Sequence, residues 1–312
     1  MSAWQTVISE RSELGESPFW HPHENQLYWV DIRARQVVRA NVFMGTTERW
    51  NLPAEPGCIA PAKNGGLVIA LRDGIYRART WGGTLVPLAR FSHDPDTTRF
   101  NDGKCDPLGR FWAGTIYEPR DARRADLYCL DCRPDNGNGG KAQVSLKAHN
   151  AVIGNGLAFG PDARTVYWAD TTHHVVQAWD WDAPANVLKR HRVFHQFPAK
   201  PGGWRWDGSD PGAYRGRPDG AAVDAEGNYW VAMMEGARIA KLSPAGEEIG
   251  SIDVPALRPT MPCFGGDDLR TLYVTSIGHG ASDAELARYP QAGRILSLRM
   301  DVPGLPVNFF VD

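Results

Sequence analysis

The sequence predicts an all-β fold: a six-bladed β-propeller with four antiparallel strands per blade, spanning residues 1–312 as one domain. Three observations predict it. A turn containing Gly, Asp or Asn recurs, followed each time by a strand-like run ending in aromatic or β-branched residues. The six instances, marked by Trp29, Val68, Trp112, Trp168, Trp230 and Val274, stand 39, 44, 56, 62 and 44 residues apart, a period that suits a unit of four short strands. Long amphipathic helices are scarce, ASDAELARY being the best helical segment, which disfavours a barrel with a helix after each strand.

In chain order the marker runs are HPHENQLYWVDI, AKNGGLVIAL, DPLGRFWAGTI, GPDARTVYWADT, DAEGNYWVAMM and GGDDLRTLYVTSI. Further short strands follow them, among them GIYRART, ADLYCLD, VVQAWDWD, RIAKLSP and RILSLRM. Two insertions interrupt the rhythm. Arg133–Gly140 is polar and glycine-rich and reads as an exposed turn. Phe197–Pro218 is longer and carries Trp204, Trp206 and Tyr214 amid Gly and Pro, an aromatic content that argues against disorder.

A net charge of -2 gives no electrostatic footprint for nucleic acid or acidic membranes. No apolar run approaches a membrane span, and Met1–Glu10 lacks a signal-peptide core, so a cytoplasmic location is expected. Five scattered cysteines suit reduced thiols. Cys129 and Cys132 form a lone CxxC with no second pair at zinc spacing, and read as half-buried thiols near a strand end.

Four segments place an oxygen side chain beside Gly or Pro ahead of a strand: LGESPFW at Glu16, RFNDGKCD at Asn101 and Asp102, IGNGLAF at Asn155 and RPDGAAVD at Asp219. Glu16, Asn155 and Asp219 precede their markers by 13, 13 and 11 residues, and Asn101 precedes Trp112 by 11. Taken singly, each is an ordinary turn residue. Placed alike in different repeats, they predict convergence at the propeller axis, where hard oxygen donors suit a divalent cation.

On GESPFWHP, RFNDGKCDPLGRFWAGT, GNGLAFGPDARTVYWADT, PDGAAVDAEGNYWVA and CFGGDDLRTLYVTS, the chain resembles the senescence marker protein, regucalcin and gluconolactonase family of six-bladed propeller lactonases, from about Glu13 to Met300. The resemblance implies that Glu16, Asn155 and Asp219 bind one divalent cation (Ca, Zn, Mg, Mn or Fe(II)). It further implies that Arg99 and Asn101 contact a sugar lactone, with Glu118 as a further substrate contact.

The reaction expected is metal-dependent opening of a sugar (aldono-) lactone in pentose or hexose catabolism, with Asp219 as the base and Arg99 and Asn101 donating hydrogen bonds to ring hydroxyls. No G-x-S-x-G occurs, so a serine acyl-enzyme is not expected. The alternatives are a phosphotriesterase-like propeller hydrolase and a non-catalytic calcium-binding regulator. The partner is a small sugar lactone, with no nucleic acid and no membrane, on a monomer or weak homo-oligomer. His149 and His279 are candidates for the neighbourhood of the site, His173-His174 reads as a hairpin tip, and Trp204 and Trp206 as a lid or as packing on a neighbouring blade.

Overall fold

A computed structural model of the chain describes residues 4–209, 212 and 214–312. It contains six four-stranded antiparallel sheets, each with its first strand packed against the first strands of the sheets on either side. These are the blades of a propeller. Blade 1 runs from Gly15 to Asn51, blade 2 from Cys58 to Arg90 and blade 3 from Thr98 to Ala151. Blade 4 runs from Gly154 to Gln196, blade 5 from Arg217 to Asp253 and blade 6 from Pro259 to Arg299. Blade 6 borrows its outer strand, Gln5–Ile8, which pairs with Ile295–Arg299 and closes the ring.

All six marker residues fall on the second strand of their blade. Successive side chains of such a strand point to opposite faces, and both faces are covered by neighbouring blades. In blade 3, Phe111 and Ala113 enter the core shared with blade 2, while Trp112 between them enters the core shared with blade 4. These strands therefore read as continuous apolar runs, and Trp29, Trp112 and Trp168 are wholly buried. The same alternation separates Cys129 and Cys132, which lie in the blade 3–4 and blade 2–3 cores respectively. Both are fully buried, where half-burial was expected, and they face away from each other.

The turns ahead of two markers share a device. Asp106 Oδ1 accepts the N–H groups of Leu108 (2.9 Å) and Arg110 (3.1 Å), while Oδ2 accepts Trp112 Nε1 (2.8 Å). Asp224 repeats this with Glu226 (3.0 Å), Asn228 (2.9 Å) and Trp230 Nε1 (2.9 Å). One carboxylate thus folds the turn and locks the marker tryptophan, as turn-forming Asp residues can.

The helical segment is a six-residue helix, Asp283–Arg288, whose N-cap Ser282 accepts the Glu285 N–H through its side chain. Beyond blade 6 the chain crosses one mouth of the central tunnel. Gly304 bridges to Asp224 of blade 5, Asn308 Nδ2 donates to the Cys105 carbonyl of blade 3 (3.1 Å), and Phe310 bridges to Ala62 of blade 2. Asp312 then pairs with the buried Arg77 at 3.0 Å. This strap closes a cavity of about 270 Å³ whose lining includes Phe19, Met261, Phe264, Val307 and Lys104.

Candidate active site

Each expected site residue except Glu118 lies on the innermost strand of a blade. Glu16 is in Gly15–His21 of blade 1, Arg99 and Asn101 in Thr98–Cys105 of blade 3, Asn155 in Gly154–Phe159 of blade 4, and Asp219 in Arg217–Val223 of blade 5. In these four blades the pairing with the second strand shifts register at the same place. Glu16 and Asn155 are the last paired residues before the shift, opposite Val30 and Ala169. Asn101 and Asp219 come just after the last paired residues, Phe100 and Pro218. Marker separations of 13 in one pair and 11 in the other arise because Trp29 and Trp168 stand one residue before Val30 and Ala169, whereas Trp112 and Trp230 stand three before Thr115 and Met233. Bulges re-aim side chains, and in blades 1 and 4 the following residue is left-handed: Ser17 at φ 49° and Gly156 at φ 57°. At Gly156 a Cβ would stand 2.2 Å from the Tyr229 hydroxyl and 3.1 Å from the Asp219 carbonyl oxygen, so glycine is needed there for space as well as conformation.

A hydrogen-bond chain ties three blades together at this level. Arg99 Nη1 donates to Asn101 Oδ1 (2.9 Å), and Asn101 Nδ2 donates to Asn155 Oδ1 (2.8 Å) and to the Gly154 carbonyl (3.0 Å). Asn155 Nδ2 donates to Thr171 Oγ1 (2.8 Å), which donates to the Pro218 carbonyl (2.7 Å) beside Asp219. Two consequences follow. The Asn155 nitrogen is committed to Thr171, so its oxygen is the atom able to meet a cation. Both Asn101 amide protons are used within the protein, so neither is free for the donation to substrate hydroxyls expected of Asn101, which keeps only acceptor capacity in Oδ1.

Arg99 is itself held by Glu118, whose Oε1 accepts from Arg99 Nε (3.2 Å) and whose Oε2 accepts from Arg72 Nη1 (2.9 Å). Glu118, in the turn just past the second strand of blade 3 (Phe111–Tyr117), is part-exposed at the rim of this arrangement.

The electrostatics are those of acids forced together away from water. Burial, then the neighbouring Asp219 and Asp102 carboxylates, raise the Glu16 pKa well above the usual carboxylate range. Burial, then Asp102, push Asp219 up to about 8, against the pull of Arg217 and the Gly220 N–H. Burial also raises Asp102, opposed first by Lys104. Asp102 Oδ2 accepts the Leu157 N–H at 2.8 Å, while Oδ1 is buried with no hydrogen-bond partner. Lys104, its own pKa lowered by burial, donates from Nζ to the Ala221 carbonyl at 2.8 Å.

These residues fit a hard divalent cation: oxygen donors only, an excess of buried negative charge, and an orphaned carboxylate oxygen nearby. Among the described residues no three His, Cys, Asp or Glu side chains are grouped to hold a metal by themselves, so any such site depends on the amide oxygen of Asn155 as well as on Glu16 and Asp219. Sequence reasoning passed over Thr171 and Lys104, which sit inside quoted motifs with nothing in their residue type to mark them; it named Asp102 as an oxygen side chain, but not as a charge acting on Glu16 and Asp219.

The histidines lie elsewhere. His149 is exposed on the outermost strand of blade 3, and His279 is exposed, 3.9 Å from Glu13. His173 and His174 occupy a hairpin turn, as expected. Of the insertion's residues, 210, 211 and 213 lie outside the described residues. In the remainder, Trp206 packs against Ala237, Leu257 and Tyr289, and Trp204 stands edge-on to Tyr214 at 4.7 Å with Lys200 over its ring.

Comparison with known proteins places this geometry. The family model described as SMP-30/gluconolactonase/LRE-like region matches residues 14–278. The chain is 39% identical over 304 residues to the 6-deoxy-6-sulfogluconolactonase of Pseudomonas putida, covering 97% of each chain. It is 33% identical over 310 residues to regucalcin of Gallus gallus, covering 97% of this chain and 96% of that one. The crystal structure of a calcium-binding regucalcin from Agrobacterium tumefaciens superposes with a TM-score of 0.86 at 25% identity, covering 99% and 97% of the two chains.

Proposed function

The chain belongs to the SMP-30/gluconolactonase/LRE-like family, and from that premise we propose that it is a carboxylic-ester hydrolase that opens a sugar lactone to its aldonic acid with the help of one divalent cation. The observation that carries the reading is the pairing of Glu16 with Asp219: two carboxylates from separate blades, both buried and each with its pKa raised. A fold that only needed rigid blades would not place them so. Glu16, Asn155 and Asp219 would hold the cation, which supplies Lewis-acid polarisation of the lactone carbonyl when bound.

The chain's own residues account for the remaining steps. Arg99, with Nη2 left over from its bonds to Glu118, Asn101 and the Phe100 carbonyl, orients the ring hydroxyls. Asp219 takes a proton as water adds to the carbonyl carbon, and returns it to the ring oxygen as the C–O bond of the lactone breaks. The Asn101–Asn155–Thr171 chain keeps the inner strands in register while this happens. Five buried free cysteines suit a reducing, cytoplasmic setting, and among the described residues no helix is long and apolar enough to cross a membrane.

The test is hydrolysis of a panel of pentono- and hexonolactones with and without chelator. The panel includes a 6-sulfonated gluconolactone, because the Pseudomonas putida relative is named for one. Chelator-sensitive opening of at least one lactone is expected. Tight calcium binding with no turnover on any lactone would favour the non-catalytic regulator instead.

A further inference from the structure

We infer that Arg217 and Lys200 form a subsite for an anionic group (a sulfonate, phosphate or carboxylate) carried by the lactone on the side of its ring away from the carbonyl. This rests on the lactonase reading above and names a substrate class: charged sugar lactones in preference to neutral ones.

The observation that carries it is a guanidinium without acceptors. Arg217 opens the innermost strand of blade 5, two residues before Asp219, and its side chain is only 17% exposed. Its Nε is buried with no hydrogen-bond partner and stands 3.4 Å from Glu235 Oε2. Among the described residues no acceptor meets its Nη groups either. By contrast, the buried Arg77, Arg99, Arg110 and Arg238 each donate to a carboxylate and to a carbonyl oxygen. Buried polar groups are paired as a rule, so Arg217 is placed for an acceptor that the chain does not supply.

Its surroundings leave positive charge over. Among the described residues Glu235 is the one carboxylate in ion-pair contact with Arg217, and it is shared with Lys200, whose Nζ lies 2.7 Å from Oε1. His174 Nε2 accepts the Lys200 backbone N–H at 3.2 Å. Burial, then Arg217, hold this imidazole below its ordinary range, so it adds no second charge partner. Two cations thus share one acid. Lys200 comes from the insertion ahead of Asp219, and Glu235 from the turn after the second strand of blade 5. Residues two apart on a strand stand about 7 Å apart, about the span from a lactone carbonyl at Asp219 to a group across the sugar ring. The Arg217 fork can meet two oxygens of an oxyanion at once, and Lys200 adds a point charge.

The experiment uses the full chain with divalent cation present, as wild type, Arg217→Met and Lys200→Met. Gluconolactone is compared with analogues bearing a sulfonate, a phosphate or a carboxylate at C6. In wild type, kcat/KM is expected to favour at least one charged lactone over the neutral one by roughly tenfold or more, and which one it favours identifies the anion. Arg217→Met should lower that ratio by roughly 10–100-fold, mainly through KM, the scale of a charge-assisted hydrogen bond. Lys200→Met should lower it by a smaller factor. A wild type that favours no charged lactone, or an unchanged ratio in either variant, overturns the inference. If Arg217→Met does not fold, Arg217→Gln takes its place. Failure of wild type to open these or any lactone of the wider panel overturns the lactonase reading instead. Calorimetry with the corresponding aldonic acids then judges the subsite by the same ratio of charged to neutral affinity.

Discussion

Asn101 Nδ2 donates to Asn155 Oδ1 at 2.8 Å, a bond from the innermost strand of blade 3 to that of blade 4. It links the residue expected to face the substrate with one expected to face the cation, so the two roles cannot be varied independently. Asn101→Ala should therefore raise KM and also weaken cation binding, the latter by roughly 10–100-fold, the usual cost of losing a group that orients a ligand. Paired kinetics and calorimetry check this. A change in KM alone would mean that Asn155 holds its orientation through Thr171 without help.

Asp219→Ala is expected to remove both a cation donor and the proton acceptor. Turnover should fall by at least about 10²–10⁴-fold, the usual worth of general acid–base catalysis, with cation affinity falling as well. Asp219→Asn, which keeps an oxygen donor, should recover part of the cation binding but not the turnover. Near-normal turnover in either variant would disprove the assignment.

Stability against pH follows from the raised carboxylates. An unfolded Asp titrates near about 4, whereas Asp219 in the fold is pushed up to about 8, and Glu16 moves in the same direction. The native state thus holds protons that the unfolded chain has released. The stabilisation is complete below about pH 4 and is lost as pH rises through about 8. In chelator, the urea midpoint should fall steadily from pH 5 to pH 8. Saturating calcium should flatten that slope, because the bound cation replaces the protons. A midpoint in chelator that rises over this range would contradict the shifts.

The turn that locks Trp112 is also exposed to test. Asp106 and Arg110 form a fully buried pair at 2.6 Å, with Arg110 Nη2 donating to the Ala183 carbonyl of blade 4 (2.9 Å). Asp106→Asn keeps the shape but leaves Arg110 as a buried charge without its partner, at a cost of roughly 3–5 kcal/mol. The corresponding Asp224→Asn in blade 5, where the partner is the neutral Asn228, should cost less. Equilibrium urea unfolding of the two variants compares them directly.

The blades and the strand position of Glu16, Asn101, Asn155 and Asp219 were legible because turn chemistry and apolar runs are local, and they repeat. The Asp106 and Asp224 turns are written in the sequence as D-x-x-G-x-x-W. What was not legible depends on contacts between blades. Thr171 looks like an ordinary residue after a strand until Asn155 and Pro218 are brought to either side of it. Lys104 looks like a solvated lysine until the Asp301–Asp312 strap closes the cavity below it. The donor role given to Asn101 failed to anticipate that the neighbouring blade would use both of its amide protons. No pattern within one strand carries such pairings.

The insertion ahead of Asp219 separates its two tryptophans. Trp206 packs on Leu257 and Tyr289, with ring centroids 5.7 Å apart from the latter, and so fastens the loop to the seam of blades 5 and 6. Trp204 instead covers Lys200, whose Nζ pairs with Glu235 at 2.7 Å, and Glu235 in turn faces Arg217, two residues before Asp219. Of the two tryptophans, Trp204 is the one not fastened to that seam, so a test of the lid reading is a test of Trp204. Trp206→Ala should lower the melting temperature by several degrees, as loss of a packed aromatic does, with KM nearly unchanged. Trp204→Ala should raise KM several-fold with little loss of stability, because an aromatic ring in such a loop can stack on a sugar face. If Trp204→Ala binds lactone normally and melts early, the whole loop is structural and nothing in it covers the pocket.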